Sequence, residues 1–196
     1  MTALALVRHG MTDWGEVGLI QGRADRPLSA TGHAQIAAWR VPAELAGFSW
    51  LTSPLRRARE SAELLLGCAA TVEPAFTEMA WGAWEGNTLA ALRRELGAAF
   101  EENEARGLDF HPPGGESPRE VQGRLGSRLA AIAHAGRPTA VMTHKGVIRA
   151  VLGLATGWDF RGKPPVRFDW SCAHLFDLDG RGRPRIERLN IPLVER

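Results

Sequence analysis

The sequence is poor in cysteine, and it has no apolar run long enough to span a membrane. Its two cysteines, Cys68 and Cys172, are too few for a disulfide scaffold and fit reduced thiols. The first residues lack the basic segment and the long apolar core of a signal peptide. We therefore expect a soluble cytoplasmic protein with no membrane partner.

An excess of charge of one sign is also missing. The 24 Lys and Arg residues face 22 Asp and Glu, and the net charge of +2 gives no basic field of the kind that binds nucleic acid. Lysine itself is scarce, with Lys145 and Lys163 set among many arginines. A guanidinium suits phosphate and carboxylate, but a GC-rich genome produces the same bias, so the bias alone indicates nothing. The length of 196 residues fits one domain over residues 1–196.

Apolar runs and helical patterns alternate along the chain. Strands are predicted at residues 3–7, 48–52, 70–73, 138–143, 169–178 and 183–189. Helices are predicted at residues 34–45, 54–66, 89–104, 119–135 and 146–156, with Pro54 at a first helical position. This order predicts an α/β fold: a three-layer α/β/α sandwich whose central sheet is mostly parallel, with an antiparallel edge. A helical insert at about 76–118 is expected to cover the carboxyl ends of the strands like a lid.

Two of the predicted strands end in histidine. Arg8 and His9 follow the first strand, and His144 follows the fourth. Parallel strands present their carboxyl ends at one edge of a sheet, which is where ligands bind in open α/β folds. The helix after the second strand adds an anion-attracting N-terminus, and Arg57 in its first turns is able to lean back toward the strand ends.

Six motifs resemble those of a known family in their order along the chain. They are LVRHGMTDW at 6–14, GRADRPLSATGHAQ at 22–35, TSPLRRARESA at 52–62, EMAWGAWEG at 78–86, PGGES at 113–117 and THKGVIRA at 143–150. The chain thereby resembles the histidine phosphatase superfamily. The branch concerned contains cofactor-dependent phosphoglycerate mutase, fructose-2,6-bisphosphatase and small bacterial phosphatases such as α-ribazole phosphatase.

The resemblance implies a role for each matching residue. His9 would be the nucleophile that becomes phosphorylated, Glu78 would be the proton donor, and His144 would complete the catalytic set. The phosphoryl group would be bound by Arg8, Arg57, His144, Gln21 and Gly22. The partner implied is a small phosphorylated metabolite.

The chemistry agrees with these roles without a metal or another cofactor. Phosphoryl transfer depends mainly on positioning and charge stabilisation, which a neutral imidazole among fixed cations supplies. The sequence has no cluster of metal ligands. Glu78 lies among Phe76, Trp81 and Trp84, a surround that would keep a proton available for the leaving alkoxide; the same carboxylate then activates water.

Three positions depart from the family pattern. Met11 stands where Glu or Gln is frequent, and Gly15 stands where Asn is common, which puts one substrate contact in doubt. Lys145 replaces a frequent glycine after the second histidine. Its ammonium either disfavours protonation of His144 or faces solvent. Of the other histidines, each interpreted as structural, His174 on a late strand is the one to examine.

Three functions remain open at this point. The sequence favours a phosphatase, a phosphoric monoester hydrolase, because the insert is modest and offers few basic residues to grip a second phosphate. A phosphoglycerate mutase is the first alternative. A phosphate-binding scaffold without activity is the second, although His9 and Glu78 are both retained. The physiological substrate and the oligomeric state are not determined by the sequence.

Overall fold

A six-stranded sheet forms the centre of the computed structural model, which describes residues 1–193. The strands are β1 (Thr2–Arg8), β2 (Ser49–Thr52), β3 (Thr71–Val72), β4 (Thr139–Thr143), β5 (Cys172–Leu178) and β6 (Pro184–Pro192), in the order β3-β2-β4-β1-β5-β6. The first four strands pair in parallel, and β5 and β6 run antiparallel at one edge. This confirms the predicted mostly parallel sheet with an antiparallel edge.

Helices cover both faces of the sheet. They are α1 (Asp13–Glu16), α2 (Ala30–Ala37), α3 (Arg56–Leu66), α4 (Leu89–Leu96), α5 (Ala98–Glu104), α6 (Pro118–Ala135) and α7 (Lys145–Thr156). One buried cluster joins β1 to α2 and α3, and a second joins it to α6 and α7. The sandwich of three layers is therefore as predicted.

The alternation of side chains along β1 decides what each face receives. Ala5 and Val7 pack in the cluster with α2 and α3, whereas Leu4 and Leu6 pack in the cluster with α6 and α7. Arg8 continues the even-numbered series at the strand end. The next residue, His9, is held in line by a hydrogen bond from its backbone N–H to the Thr143 carbonyl (3.0 Å), so these two neighbouring side chains serve opposite faces.

Three predicted helices have different bounds. The helix predicted at 34–45 is α2, which starts after its N-cap Ser29 and ends at Ala37; residues 43–45 form a separate 3₁₀ turn after Pro42, whose ring cannot continue the helix. The helix predicted at 89–104 is broken into α4 and α5 at Gly97. Pro54 is not at a first helical position, because α3 begins two residues later at Arg56.

The Pro54 difference has a local cause. The hydroxyl of Ser53 accepts the Leu55 N–H (3.3 Å), and the carboxylate of Asp25 accepts the Arg56 N–H (2.6 Å). These two bonds satisfy donors that a helix starting earlier would also leave unpaired, so a turn precedes α3. Within residues 1–193, no helix is both long and apolar enough to cross a membrane.

Candidate active site

His9 is a buried histidine whose hydrogen bonds define its tautomer. Its Nδ1 lies 2.7 Å from the Gly10 carbonyl oxygen, which accepts but cannot donate, so Nδ1 carries the hydrogen. Its Nε2 accepts a hydrogen bond from Arg57 Nε (3.1 Å) and therefore has a free lone pair. Burial, together with the charges of Arg57 and Arg8, holds the pKa of His9 well below its usual range. His9 is thus a neutral imidazole with Nε2 unprotonated.

Arg57 is almost completely buried and links three parts of the site. Besides His9, it donates from Nη1 to the Ala24 carbonyl (2.8 Å) and from Nη2 to the Gly22 carbonyl (2.8 Å). Burial lowers the pKa of its guanidinium, with Glu78 opposing that shift. The neighbouring Arg56 is exposed instead and pairs with Glu60 along α3 (2.6 Å), as expected for a charge on a solvated face.

Ser61 ties the His9–Gly10 segment to α3, a contact that sequence reasoning missed. Its hydroxyl accepts the Gly10 N–H (3.0 Å) and donates to the Arg57 carbonyl (2.7 Å). Ser61 has no exposed surface. The Gly10 peptide that orients the His9 ring is therefore itself held in place.

His144 lies beside His9, as the parallel arrangement of β1 and β4 predicts. The two ring centroids are 5.1 Å apart with the rings edge to face, and His144 is completely buried. Its Nε2 is 2.7 Å from the Ser53 hydroxyl, while Nδ1 is buried without a partner among residues 1–193. Burial, Arg57 and His9 hold the pKa of His144 well below its usual range, so this ring is also neutral.

Glu78 lies on the opposite side of the cleft, bound by backbone amides. Its Oε1 accepts the Met79 N–H (2.8 Å), and its Oε2 accepts the Gly146 N–H at the start of α7 (3.2 Å). A Cβ at Gly146 would lie only 2.3 Å from Oε1, so glycine is needed for this close approach. The segment that carries Glu78 is fixed by Arg124, which donates to the Ala75 (2.5 Å) and Thr77 (2.6 Å) carbonyls.

A loop at residues 21–24 forms another wall, and Glu85 organises it. The Glu85 carboxylate accepts the backbone N–H groups of Arg23 (2.8 Å) and Ala24 (3.0 Å). Gly22 has φ = +50°, and a Cβ there would lie 2.0 Å from Glu85 Oε1. Gln21 and Gly22 both line the cleft, with Gln21 Oε1 buried and unpartnered within residues 1–193. No sequence signal short of the whole motif pointed to Glu85.

The cleft itself has a volume of about 1040 Å³. Its lining includes Arg8, His9, Gln21, Gly22, Arg57 and Glu78. His144 lies behind His9. The structure therefore brings all seven sequence-predicted site residues to one edge of the sheet. A smaller cavity of about 600 Å³ lies on the other side of Arg8 and His9, where Met11 is found, whereas Gly15 lines the main cleft.

Lys145 is where one sequence interpretation fails. The residue does not face open solvent: it lines the main cleft, and burial with the charges of Arg149 and Arg8 lowers its pKa to about 8. The alternative, an effect on His144, is not favoured either, because the charges that depress the pKa of His144 come from Arg57, His9, Arg124 and Arg8. Spacing could have indicated the cleft position, since Lys145 and Arg149 are four residues apart on α7.

Trp170 and His174 extend this side of the site. The Trp170 ring approaches the side chains of Arg8 (5.8 Å), Lys145 (5.4 Å) and Arg149 (5.9 Å). His174 is fully buried beside Phe168 (4.5 Å between ring centroids) and Trp170 (6.3 Å), and burial lowers its pKa to about 4. The structural interpretation of His174 fits this packing. Trp170 lies in an irregular segment, which gave no periodic signal.

The tryptophans singled out from the sequence divide into two groups. Trp81 lines the cleft, and so does Trp158. Trp84 is buried in an aromatic cluster with Phe100 and is not available for stacking on a substrate.

Comparison with known proteins decides the family. A profile of the histidine phosphatase superfamily (branch 1) matches residues 4–192. The chain belongs to the histidine phosphatase superfamily. The resemblance noted from the six motifs is thereby confirmed.

The relatives and solved structures agree with this histidine phosphatase assignment. The uncharacterized phosphatase PhoE of Bacillus subtilis is 34% identical over 167 residues, covering 81% of this chain and 80% of PhoE. A protein named probable phosphoglycerate mutase GpmB, from Escherichia fergusonii, is 34% identical over 140 residues, covering 67% of this chain and only 63% of GpmB. The crystal structure of TTHB049 from Thermus thermophilus has a TM-score of 0.74 at 32% identity, covering 97% of this chain and 99% of TTHB049. These findings confirm the prediction of a phosphoric monoester hydrolase.

Proposed function

We propose that this histidine phosphatase hydrolyses a small organic phosphate monoester, without a metal, through a phosphohistidine intermediate on His9. His9 is the nucleophile, Glu78 the proton donor, and His144 completes the catalytic set. The phosphoryl group is bound by Arg8, Arg57, His144, Gln21 and Gly22. The partner is a small phosphorylated metabolite, and the phosphatase name of PhoE supports that class.

In the first step, the Nε2 lone pair of His9 attacks phosphorus and the ester P–O bond breaks. The proton of the Glu78 carboxyl passes to the leaving oxygen, which departs as an alcohol. The Arg57 donor that now points at Nε2 turns to a phosphoryl oxygen, where it stabilises the charge of the transition state.

In the second step, water hydrolyses the phosphohistidine. The Glu78 carboxylate takes a proton from the water, the oxygen forms a bond to phosphorus, and the P–Nε2 bond breaks with its electron pair returning to the imidazole. Inorganic phosphate leaves, and both His9 and Glu78 recover their starting protonation.

The observation that carries this proposal is the tautomer of His9. The Nδ1–H bond to the Gly10 carbonyl leaves the lone pair on Nε2, and a depressed pKa keeps that nitrogen unprotonated at neutral pH. A nucleophilic histidine needs both properties, and a phosphate-binding scaffold needs neither. Retention of Glu78 across the cleft supports hydrolysis in the same way.

Hydrolysis of p-nitrophenyl phosphate in EDTA tests the assignment. We expect measurable turnover that disappears in His9→Ala and falls strongly in Glu78→Ala. His134→Ala, which changes an exposed histidine at the end of α6, is the matched control and is expected to behave as wild type. Full activity in His9→Ala or in Glu78→Ala would refute the role of the residue concerned.

The name of GpmB keeps mutase-type phosphoryl transfer as the second candidate. Incubation with 3-phosphoglycerate and a trace of the bisphosphate separates the two reactions. A phosphatase releases inorganic phosphate faster than it isomerises the substrate. Isomerisation that outpaces phosphate release would replace our proposal with the mutase.

A further inference from the structure

Lys145 and Arg149 are two partly buried cations in the cleft that the proposed reaction does not use. They lie four residues apart on α7, so they are neighbours on one face of that helix, and both line the main cleft. Among residues 1–193, neither forms an ion pair, and Arg149 Nε is buried without a hydrogen-bond partner. Unpaired buried cations are costly unless an anion joins them.

The protein offers these cations only weak compensation. The face of Trp170 carries a partial negative charge, and it is shared among Lys145, Arg149 and Arg8. Glu78 is the carboxylate whose charge acts on Lys145 and on Arg149, and it also acts on Arg8 and Arg57. One carboxylate and one indole cannot neutralise four cations.

The phosphoryl group of a substrate does not remove this excess. A phosphate monoester brings a charge of roughly −2 near neutral pH, and His9 and Arg57 hold it at the end of β1. Lys145 and Arg149 are placed on α7, beyond Glu78. A ligand that satisfies them needs negative charge at a second point.

We propose that Lys145 and Arg149 form a second anion subsite, so that the preferred substrate is a small phosphate monoester carrying a further carboxylate or phosphate group. This inference rests on the proposed function, since it places the phosphoryl group at His9. Trp170 positions both cations from behind, and Lys145 supplies a charge where many members of the family have glycine.

Matched esters test this subsite directly. 3-Phosphoglycerate and glycerol 3-phosphate differ in a carboxylate, and glycerol 1,3-bisphosphate offers a phosphate instead. We expect kcat/KM to favour at least one of the two esters with a second anion by about tenfold or more over glycerol 3-phosphate, as a charge-assisted contact supplies. The ester with the larger ratio identifies carboxylate or phosphate as the group recognised.

The Lys145 variants then assign the preference. The ratio should fall toward one in Lys145→Gly and Lys145→Gln and should persist in Lys145→Arg, which keeps the charge. Lys163→Gln removes the other lysine, which is exposed, and should leave the ratio as in wild type. Equal kcat/KM for all three esters in wild type, or a ratio unaffected by Lys145→Gly, would overturn the subsite while hydrolysis itself stands.

Failure of the proposed function gives a different result. If none of the esters is hydrolysed, the phosphatase assignment fails, and the subsite is decided by binding. The ratio of dissociation constants for the same esters, measured by calorimetry on His9→Gln protein, should then fall in the His9→Gln/Lys145→Gly double variant. An unchanged ratio of dissociation constants would overturn the subsite independently.

Discussion

The two sides of the β1 strand end are built differently. On the α3 side, every hydrogen-bonding nitrogen of His9 has a partner, and Arg57 and Ser61 are fully engaged with backbone groups. On the α7 side, Arg8, Lys145 and Arg149 meet an indole rather than carboxylates. The first side has the fixed geometry that bond making requires. The second has charge to spare, as a recognition surface requires.

The largest loss that distinguishes the two sides should come from Arg57. Arg57→Gln removes the donor to His9 and the two bonds that hold the loop at Gly22 and Ala24. We expect kcat for p-nitrophenyl phosphate to fall by about 10²–10³-fold, as loss of a donor to a transition-state oxyanion does. Arg56→Gln, which changes the exposed neighbour, is the control. A loss of less than tenfold in Arg57→Gln would remove Arg57 from the reaction.

Ser61 should give the next largest effect, and it should appear in kcat. Ser61→Ala takes away the acceptor of the Gly10 N–H and leaves that buried donor unpaired, which loosens the peptide that orients His9. We expect about a tenfold lower kcat with little change in KM, and recovery in Ser61→Thr, which keeps the hydroxyl. Ser127→Ala on the exposed face of α6 serves as the control. A change confined to KM would contradict a positioning role.

Trp170 should show the opposite pattern. Trp170→Leu removes the ring that Arg8, Lys145 and Arg149 share, and cation–π contacts of this kind are worth about 0.5–2 kcal/mol. We expect KM to rise about three- to tenfold while kcat falls less, with Trp170→Phe between wild type and Trp170→Leu. Steady-state kinetics on 3-phosphoglycerate measure both constants. A loss of kcat at unchanged KM would place Trp170 with the reacting groups instead.

The smallest effect should be the pH dependence of the second-anion preference. Lys145 faces Arg8, Arg149 and Glu78, and its pKa is lowered to about 8, so it is charged below that pH and loses its charge as the pH rises through it. Both esters are already dianionic at phosphorus above pH 7, so their kcat/KM ratio isolates Lys145. The ratio should fall several-fold between pH 7 and pH 9.5. In Lys145→Arg it should stay level; a level ratio in wild type would contradict the role of Lys145.

Sequence alone located the fixed side of the site and missed much of the other. His9 and His144 follow from parallel strands ending at one edge, and Arg57 follows from the helix start beside them. Lys145, in contrast, was equally compatible with solvent, because its orientation depends on where α7 begins and on Trp170. That tryptophan lies in an irregular segment without period, so no pattern in the chain places it.

The helix bounds show the same division. Central strands and long helices follow hydrophobic periodicity, and they were predicted to within a few residues. Pro54 was placed inside a helix because proline favours a first helical position, but contacts of Ser53 and Asp25 that are distant in sequence hold a turn there. Local propensity cannot report such contacts, and in this protein they occur beside the site.

The measurement that tests the central claim most directly is the trapping of the phosphorylated enzyme. Wild-type protein is mixed with a phosphate ester, quenched in base within milliseconds, digested and analysed by mass spectrometry. The account predicts one phosphoryl group on Nε2 of His9, more of it in Glu78→Gln, and none in His9→Ala. Rapid hydrolysis without any phosphohistidine, or a phosphoryl group on another residue, would contradict it.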